Sequence, residues 1–334
     1  MRIALAGFSQ GYYAVEYTRY LSTLKGIEIC AVCDLEQSEE YIDSCAFVQA
    51  LSFAQEVGAP LVHTVEETIA LAPDAVLVCA ETADHTKLAL RFMNAGAHVF
   101  VSKPLCFLSK QADALAAQAP QDRILLCGQP LRHETGVQEL ISRLPEIGRI
   151  YAVRIRLCHA AMIHQAWERD SARSGGPLGT YGVYLFDLAQ ALSGVHIHTL
   201  FASGMNAVTP QIEDFDTVRI LASGGCVSFS LELFSAVNAP MPFLQAEIVG
   251  EKGMLETHYD NSAVVASFPS HQSKGSLRTS DMTRGEMDHF LQCIRGAEAP
   301  ACGIAAMQYV TRCIEAVRES IGSGLPVTVK EVTP

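Results

Sequence analysis

The sequence predicts a two-domain α/β chain. A doubly wound parallel sheet occupies residues 1–125, and an α+β domain with an open, mainly antiparallel sheet occupies residues 126–334. Three observations predict it. The length of 334 residues suits two domains. Short apolar runs alternate with single helical patterns up to about Gly128, which implies parallel strands joined by right-handed crossovers. Beyond that point, strand-like runs follow one another with glycine-rich joints and few helices, the pattern of antiparallel pairing.

In the first domain, "RIALAGF" reads as a strand and is followed by a helical stretch through Tyr20 and Leu24. "IEICAVCD" is a second strand. "EEYIDSCAFVQALSFAQEVG" has apolar residues at three- and four-residue spacing and stops at Gly58, so it reads as a helix. The short run "APLVHT" precedes the helix "VEETIALA", the strand "DAVLVCAE", the helix "HTKLALRFMNAG" and the strand "HVFVSKP". The helix "KQADALAAQA" and the strand "RILLCG" complete the domain. In the second domain, "IGRIYAVRIRLCH", "HTLFASGM", "DTVRILASG", "CVSFSLELFSA", "LQAEIVGE" and "GMLETHY" read as strands. The helix "GTYGVYLFDLAQALSG" interrupts them, and helices near Arg284–Arg295 and Ala305–Ser320 follow.

Composition narrows the function. Hydrophobic residues make up 49% and charged residues 18%, enough apolar material to fill a large core. The net charge is −12 and no run of Lys or Arg exists, which argues against nucleic acid and anionic membranes as partners. No segment reaches the roughly 18 apolar residues of a membrane span. The N-terminal "MRIALAGFSQ" reads as a strand rather than a signal peptide. Of 11 cysteines, Cys30, Cys79, Cys106, Cys127 and Cys226 lie in apolar runs, as small hydrophobes do. Cys30 and Cys33 form C-x-x-C without a second pair, so no metal site is expected. These features suit a reduced, cytoplasmic protein.

The turn after the first strand reads Gly7-Phe8-Ser9-Gln10-Gly11-Tyr12. A strand, a glycine turn and a helix form the geometry that seats a pyrophosphate on a helix N-terminus. Against the fingerprint G-x-G-x-x-G only Gly7 is in place. Ser9, a small residue, stands where backbone must approach phosphate. Tyr12 stands where helix packs on strand, and Gly11 takes up slack. A plain strand–turn–helix corner remains the alternative. Asp34, at the end of the second strand and 27 residues after Gly7, can accept both hydroxyls of an adenine ribose and repels a 2′-phosphate. It therefore favours NAD over NADP, or else serves as a solvated or capping acid. Lys103 ends an apolar strand just before Pro104. Since burying an unpaired ammonium is costly, either it is solvated at the rim or its charge is used.

Several stretches taken together resemble one family, the Gfo/Idh/MocA oxidoreductases. "DAVLVCAETADHTKLALRFMNAGAHVFVSKPL" is similar to that family's strand, T-P-N-x-x-H helix and "GKHVxxEKPL". "SGGPLGTYGVYLFDLAQALSG" is similar to "SGGGxLxDxGxHxxDLxxxLxG", and "EDFDTV", "EIVGEKGMLE" and "EMDHFLQCIRGAEAP" resemble downstream markers. The resemblance implies a Rossmann domain followed by a substrate-binding and dimerisation domain. It implies that Lys103 lies beside the nicotinamide and the substrate hydroxyl, with a cis bond before Pro104. It puts Thr180 and Tyr184 where the family commonly has Asp and His, while Asp187 is kept. A tyrosine in that place is similar to the glucose-fructose oxidoreductase and dihydrodiol dehydrogenase types. Thr180, Tyr184 and Asp187, spaced i, i+4, i+7, share one helix face. A lysine beside Tyr184 would favour phenolate and let it pass a proton; a core-packing aromatic is the alternative. Asp187 would orient Tyr184 or Lys103, or cap a neighbour. His85 matches T-x-x-H, near the cofactor but more often structural. Glu81 and Thr82 replace the family's proline and asparagine, and Ser102 replaces its glutamate. Arg132 matches an arginine that either reaches substrate or pairs with an acid.

The residues and the resemblance together imply cofactor contacts from Gly7, Ser9, Gln10, Gly11, Asp34, Thr82, His85 and Lys103, with NAD as cofactor. The substrate contacts are Lys103, Arg132, His159, Trp167 and Tyr184, with His164 and Arg169 nearby, and the ligand is a small polyhydroxylated molecule. The expected activity is hydride exchange with a secondary alcohol or ketone of a sugar, cyclitol or related diol. Two alternatives stay open: a catalytically degenerate sensor or assembly subunit, and non-redox chemistry with a permanently bound NAD. An exposed sheet face in the second domain predicts a homodimer or tetramer.

Overall fold

The computed structural model describes residues 1–35, 41, 42, 47–158, 165–235, 244–257, 263–276 and 282–332. The chain divides into two compact units. The first comprises Met1–Gly128 together with residues 165–167 and Thr283–Gln308. Its strands are β1 (Arg2–Ala6), β2 (Glu28–Cys33), β3 (Leu61–Val62), β4 (Ala75–Val78), β5 (His98–Val101) and β6 (Leu125–Cys127). All pair in parallel, in the order β3-β2-β1-β4-β5-β6. This is the strand order of a doubly wound dinucleotide fold, and its direction reverses between β1 and β4. β4 is buried at every position, as a strand covered on both faces must be. Helices α1 (Gly11–Ser22), α2 (Ala50–Glu56), α3 (Val65–Ala70), α4 (His85–Asn94) and α5 (Ser109–Gln118) form the crossovers. Thr64 and Glu67 form a capping box that starts α3.

The sequence reading of one long helix before Gly58 is corrected. Tyr41–Ile42 and Phe47–Val48 pair as an antiparallel hairpin, and helix begins only at Ala50. Within that stretch, Ala46-Phe47-Val48 is a short continuous apolar run, and periodicity alone does not tell strand from helix in such a run. A single boundary near residue 125 also leaves two segments unaccounted for. Met287 and Phe290, in the late helix Met282–Ile294, join the first unit's core with Tyr17 and Phe100. Phe100 sits edge-on to both Tyr17 and Phe290. The Tyr17 hydroxyl donates to the fully buried carboxylate of Glu286. Burial and the neighbouring carboxylate push the Tyr17 phenol well above its ordinary pKa, so it stays a donor.

The second unit comprises residues 129–163, 168–282 and 309–334. Helix α6 (Thr135–Ile147) opens it, followed by β7 (Ile150–Cys158) and α7 (Gly176–Ser193). Then come β8 (Thr199–Met205), β9 (Thr217–Gly224), β10 (Val227–Phe234), β11 (Leu244–Gly250), β12 (Met254–Thr257), β13 (Ala263–Phe268) and β14 (His271–Ser276). After helices α8 (Met282–Ile294) and α9 (Ile304–Ser323) the edge strand β15 (Val327–Thr328) follows. The sheet runs β14-β13-β12-β11-β7-β10-β9-β8-β15 and is antiparallel except for the β7–β10 pair. Sequence reading did not assign α6; Pro145 lies within its last turn, where it removes the N–H that would bond the carbonyl of Ile141. Side chains on one sheet face are buried, among them Ile155, Ile220, Phe229 and Leu231. The other face carries Phe201, Leu221 and Met205 exposed, beside an Arg219–Glu232–Arg156 ladder. Phe201 and Leu221 are directly opposed across β8 and β9.

Candidate functional site

In the first unit, the turn after β1 lies at the switch point. Gly7 has φ +86°, and a Cβ there would stand 2.8 Å from the Ala80 Cα. No other residue fits, because the chain leaving β4 passes against it. The Gly7 N–H bonds Cys33 O and the Gln10 N–H bonds Cys79 O, both at 3.0 Å, so the turn is tied to both neighbouring strands. The first intrahelical bond of α1 runs from Ala14 N to Gln10 O. The N–H groups of Gly11, Tyr12 and Tyr13 precede it. Gln10 puts no side chain on them and no acid occupies the first turn. That leaves an electropositive helix end of the kind that takes a diphosphate. Tyr12 is 39% exposed and projects from the turn, against the expectation that it packs helix on strand. Only residues with Cβ pointing inward along α1, such as Ala14 and Val15, fill that contact. Asp34 closes β2 with its N–H on Val62 O at 2.9 Å, where an adenine ribose would lie. These residues fit NAD.

Lys103 follows β5 and is only 6% exposed. Its Nζ stands 6.0 Å from the Tyr13 ring centre, a cation–π approach that helps to accommodate a buried ammonium. Tyr13 stacks on Tyr17, so its ring is held from behind. The Lys103–Pro104 bond is cis. Ser102 donates both its N–H and its hydroxyl to Val78 O. Thr82 is buried at the start of the loop after β4.

His85, which the sequence places near the cofactor but more often in a structural role, is braced against backbone. It is fully buried, with Nδ1 2.7 Å from Pro104 O and Nε2 2.9 Å from Ala80 O. Each nitrogen faces a backbone carbonyl, so neither opens onto free space. Carbonyls only accept, so a neutral ring donates to one of them at a time. Burial pulls its pKa below the ordinary histidine value, outweighing the opposing pull of the two carbonyls. The ring joins the end of β4 to the turn that carries Lys103.

In the second unit, α7 places Thr180, Tyr184 and Asp187 on one face. Thr180 is half-buried, while Tyr184 and Asp187 are buried. Asp187 Oδ2 accepts from Arg132 Nε at 2.7 Å, and the same guanidinium reaches Gln190 Oε1 at 3.2 Å. Of the two roles the sequence leaves for Arg132, the structure supplies the acid partner. The N-terminus of α7 is capped from afar. Asp214 Oδ2 accepts from Leu178 N at 2.7 Å and lies 3.4 Å from Gly179 N, while Arg318 binds Asp214 Oδ1 and Gly175 O.

His159 and His164 lie outside the described residues. Trp167 is buried, and its indole N–H donates to Gln165 Oε1 at 3.1 Å, which leaves only its ring for a ligand. Cys226 is exposed in the turn between β9 and β10 rather than packed. Among the described residues every cysteine is a free thiol and no cluster suits a metal. Among the described residues no helix is long and apolar enough to cross a membrane.

Sequence reasoning missed Tyr13, Asp214 and Gln165. "EDFD" signalled Asp214 only as part of a motif. Nothing in the spacing marks Tyr13 or Gln165.

Comparison with known proteins agrees with this architecture. Residues 1–127 match the family described as the oxidoreductase family with an NAD-binding Rossmann fold. Residues 137–256 match the GFO/IDH/MocA C-terminal domain. An Amycolatopsis mediterranei protein named, provisionally, as a UDP-kanosamine synthase oxidoreductase subunit is 31% identical over 147 residues, 43% of this chain and 41% of that protein. The myo-inositol dehydrogenase Hyg17 of Streptomyces leeuwenhoekii is 27% identical over 297 residues, 83% of this chain and 87% of that one. The crystal structure of an Agrobacterium radiobacter oxidoreductase, solved with NAD+, L-tartaric acid and magnesium, has the same fold. Its TM-score is 0.85 at 17% identity, over 98% of each chain.

Proposed function

The chain belongs to the GFO/IDH/MocA oxidoreductases, an NAD-binding family, and from that membership we propose that it exchanges a hydride with a secondary alcohol or ketone of a sugar, cyclitol or related diol. The observation that carries the reading is the first unit's own geometry. A turn with room only for glycine sits at the β1–β4 switch, and a nearly buried lysine ends the strand beyond β4. The relative named as a myo-inositol dehydrogenase supports a polyhydroxylated substrate.

NAD, when bound, supplies the hydride acceptor or donor. The backbone of Gly7 to Tyr12 and the first turn of α1 hold the diphosphate, with Asp34 on the adenine ribose. Asp34 favours NAD over NADP by charge repulsion. Lys103 binds the substrate oxygen and offsets negative charge that develops there. Tyr184 takes the hydroxyl proton in oxidation and returns it in reduction. Asp187 and Thr180 orient this face of α7, Asp187 through Arg132. Trp167 and His159 contribute to substrate selection. The protein acts in the cytoplasm as a homodimer or tetramer, its exposed Phe201, Leu221 and Met205 covered by a second copy.

The test is NADH binding to purified protein, followed by turnover with NAD on a panel of sugars, cyclitols and diols. Turnover that falls at least about a hundredfold in Lys103→Met and Tyr184→Phe is expected. NADH binding without turnover on any polyol would overturn the dehydrogenase reading and favour a sensor. Size-exclusion chromatography showing only monomer would overturn the assembly.

A further inference from the structure

Residues 165–167 belong to the first unit, although they are far in sequence from its β-strands. There, Gln165 Nε2 donates to the carbonyl of Ser9 at 3.2 Å. Gln165 Oε1 accepts from the Trp167 indole at 3.1 Å. The amide has one consistent orientation, because an indole N–H only donates and a carbonyl only accepts. Trp167 is buried, so the donor that aligns the amide is itself held in place. The Ser9–Gln10 peptide is thus gripped at both ends: its carbonyl by Gln165, and its N–H by Cys79 O at 3.0 Å. It is the last peptide before the first turn of α1, and its plane sets where the N–H groups of Gly11 and Tyr12 point.

This turn lacks two of the three glycines that normally shape it, having Ser9 and Tyr12 in their places. We propose that Gln165 is a positioning residue of the cofactor site: its side-chain amide, aligned by Trp167, sets the Ser9–Gln10 peptide so that the first turn of α1 faces the diphosphate. The proposal rests on the dinucleotide reading above. Gln165 touches the turn and not the reacting atoms, so its effect falls on cofactor affinity.

The test is isothermal titration with ADP-ribose, which carries the diphosphate without the nicotinamide. The proteins are wild type, Gln165→Ala, Gln165→Glu and Trp167→Phe. Gln165→Ala removes the donor. Gln165→Glu keeps the length but faces Ser9 O with an acceptor. Trp167→Phe keeps the ring and drops the N–H that aligns the amide. The expected result is a Kd raised about tenfold in both Gln165 variants and about threefold in Trp167→Phe, with binding stoichiometry unchanged. Misfolding would instead lower the stoichiometry and leave the Kd of the surviving fraction as in wild type, and that result would overturn the proposal. A Gln165→Ala Kd within twofold of wild type would overturn it alone. Wild type that binds no ADP-ribose would remove the dinucleotide reading and this proposal with it.

Discussion

Arg132 and Asp187 form a buried ion pair inside the second unit, Nε to Oδ2 at 2.7 Å, with side chains 13% and 2% exposed. The pair fastens the segment before α6 to the face of α7 that carries Tyr184. A buried pair adds little over apolar packing, but removing one partner strands a charge. Arg132→Met or Asp187→Leu alone should cost about 3–5 kcal/mol, and the double variant clearly less than the sum. Urea denaturation of the four proteins measures the coupling; additive losses would show that the two groups act independently.

Gly7→Ala tests the switch point. The φ of +86° and a Cβ placed 2.8 Å from the Ala80 Cα leave the methyl nowhere to go. A stability loss of about 2 kcal/mol is expected from the backbone conformation alone. NADH affinity should fall at least about tenfold, because the turn must widen to relieve the contact. Retained affinity would mean that the turn is not where the dinucleotide binds.

His85 gives a pH dependence with a definite sign. Its folded pKa lies below the ordinary value near 6.5, so the unfolded chain binds more protons in the window beneath that value. Its contribution is present in full above about pH 6.5 and is lost as pH falls toward the folded pKa. His98 and His196 are shifted the same way by burial, so the difference from a variant isolates His85. The stability gap between wild type and His85→Gln should narrow from pH 7.5 to pH 5 in denaturation experiments. A gap that widens would mean the folded ring is the more basic one.

Asp216 clamps backbone in the second unit. Its carboxylate accepts from the N–H groups of Ala207, Val208 and Thr209 at 2.7–2.9 Å. Burial alone would raise its pKa, but these donors and the Thr217 hydroxyl hold it below the usual range. Its stabilisation is therefore present above the unfolded value near 3.9 and is lost as pH falls through the folded pKa. Asp216→Ala should cost about 3 kcal/mol by leaving buried donors unpaired, with thermal unfolding as the measure. A change under about 0.5 kcal/mol would show that water replaces the carboxylate.

Local pattern by itself determined much of this protein. Alternating apolar runs and helices specify a parallel sheet, because a helix between two strands carries the chain back so that the next strand pairs in the same direction. Gly7 and Asp34 stand out in the sequence by their offset from the strand beside them, and Lys103 by its match to the family's motif. Thr180, Tyr184 and Asp187 were legible as one face because a helix repeats every 3.6 residues. Tertiary structure alone decided who meets whom. Glu286 reaches Tyr17 across 269 positions and Gln165 reaches Ser9 across 156. Arg132 takes Asp187, and His85 turns both nitrogens toward backbone carbonyls. No periodicity encodes such pairings. They arise when folding brings distant polar groups out of water together, and each buried donor or acceptor must then find a partner among whatever lies within reach.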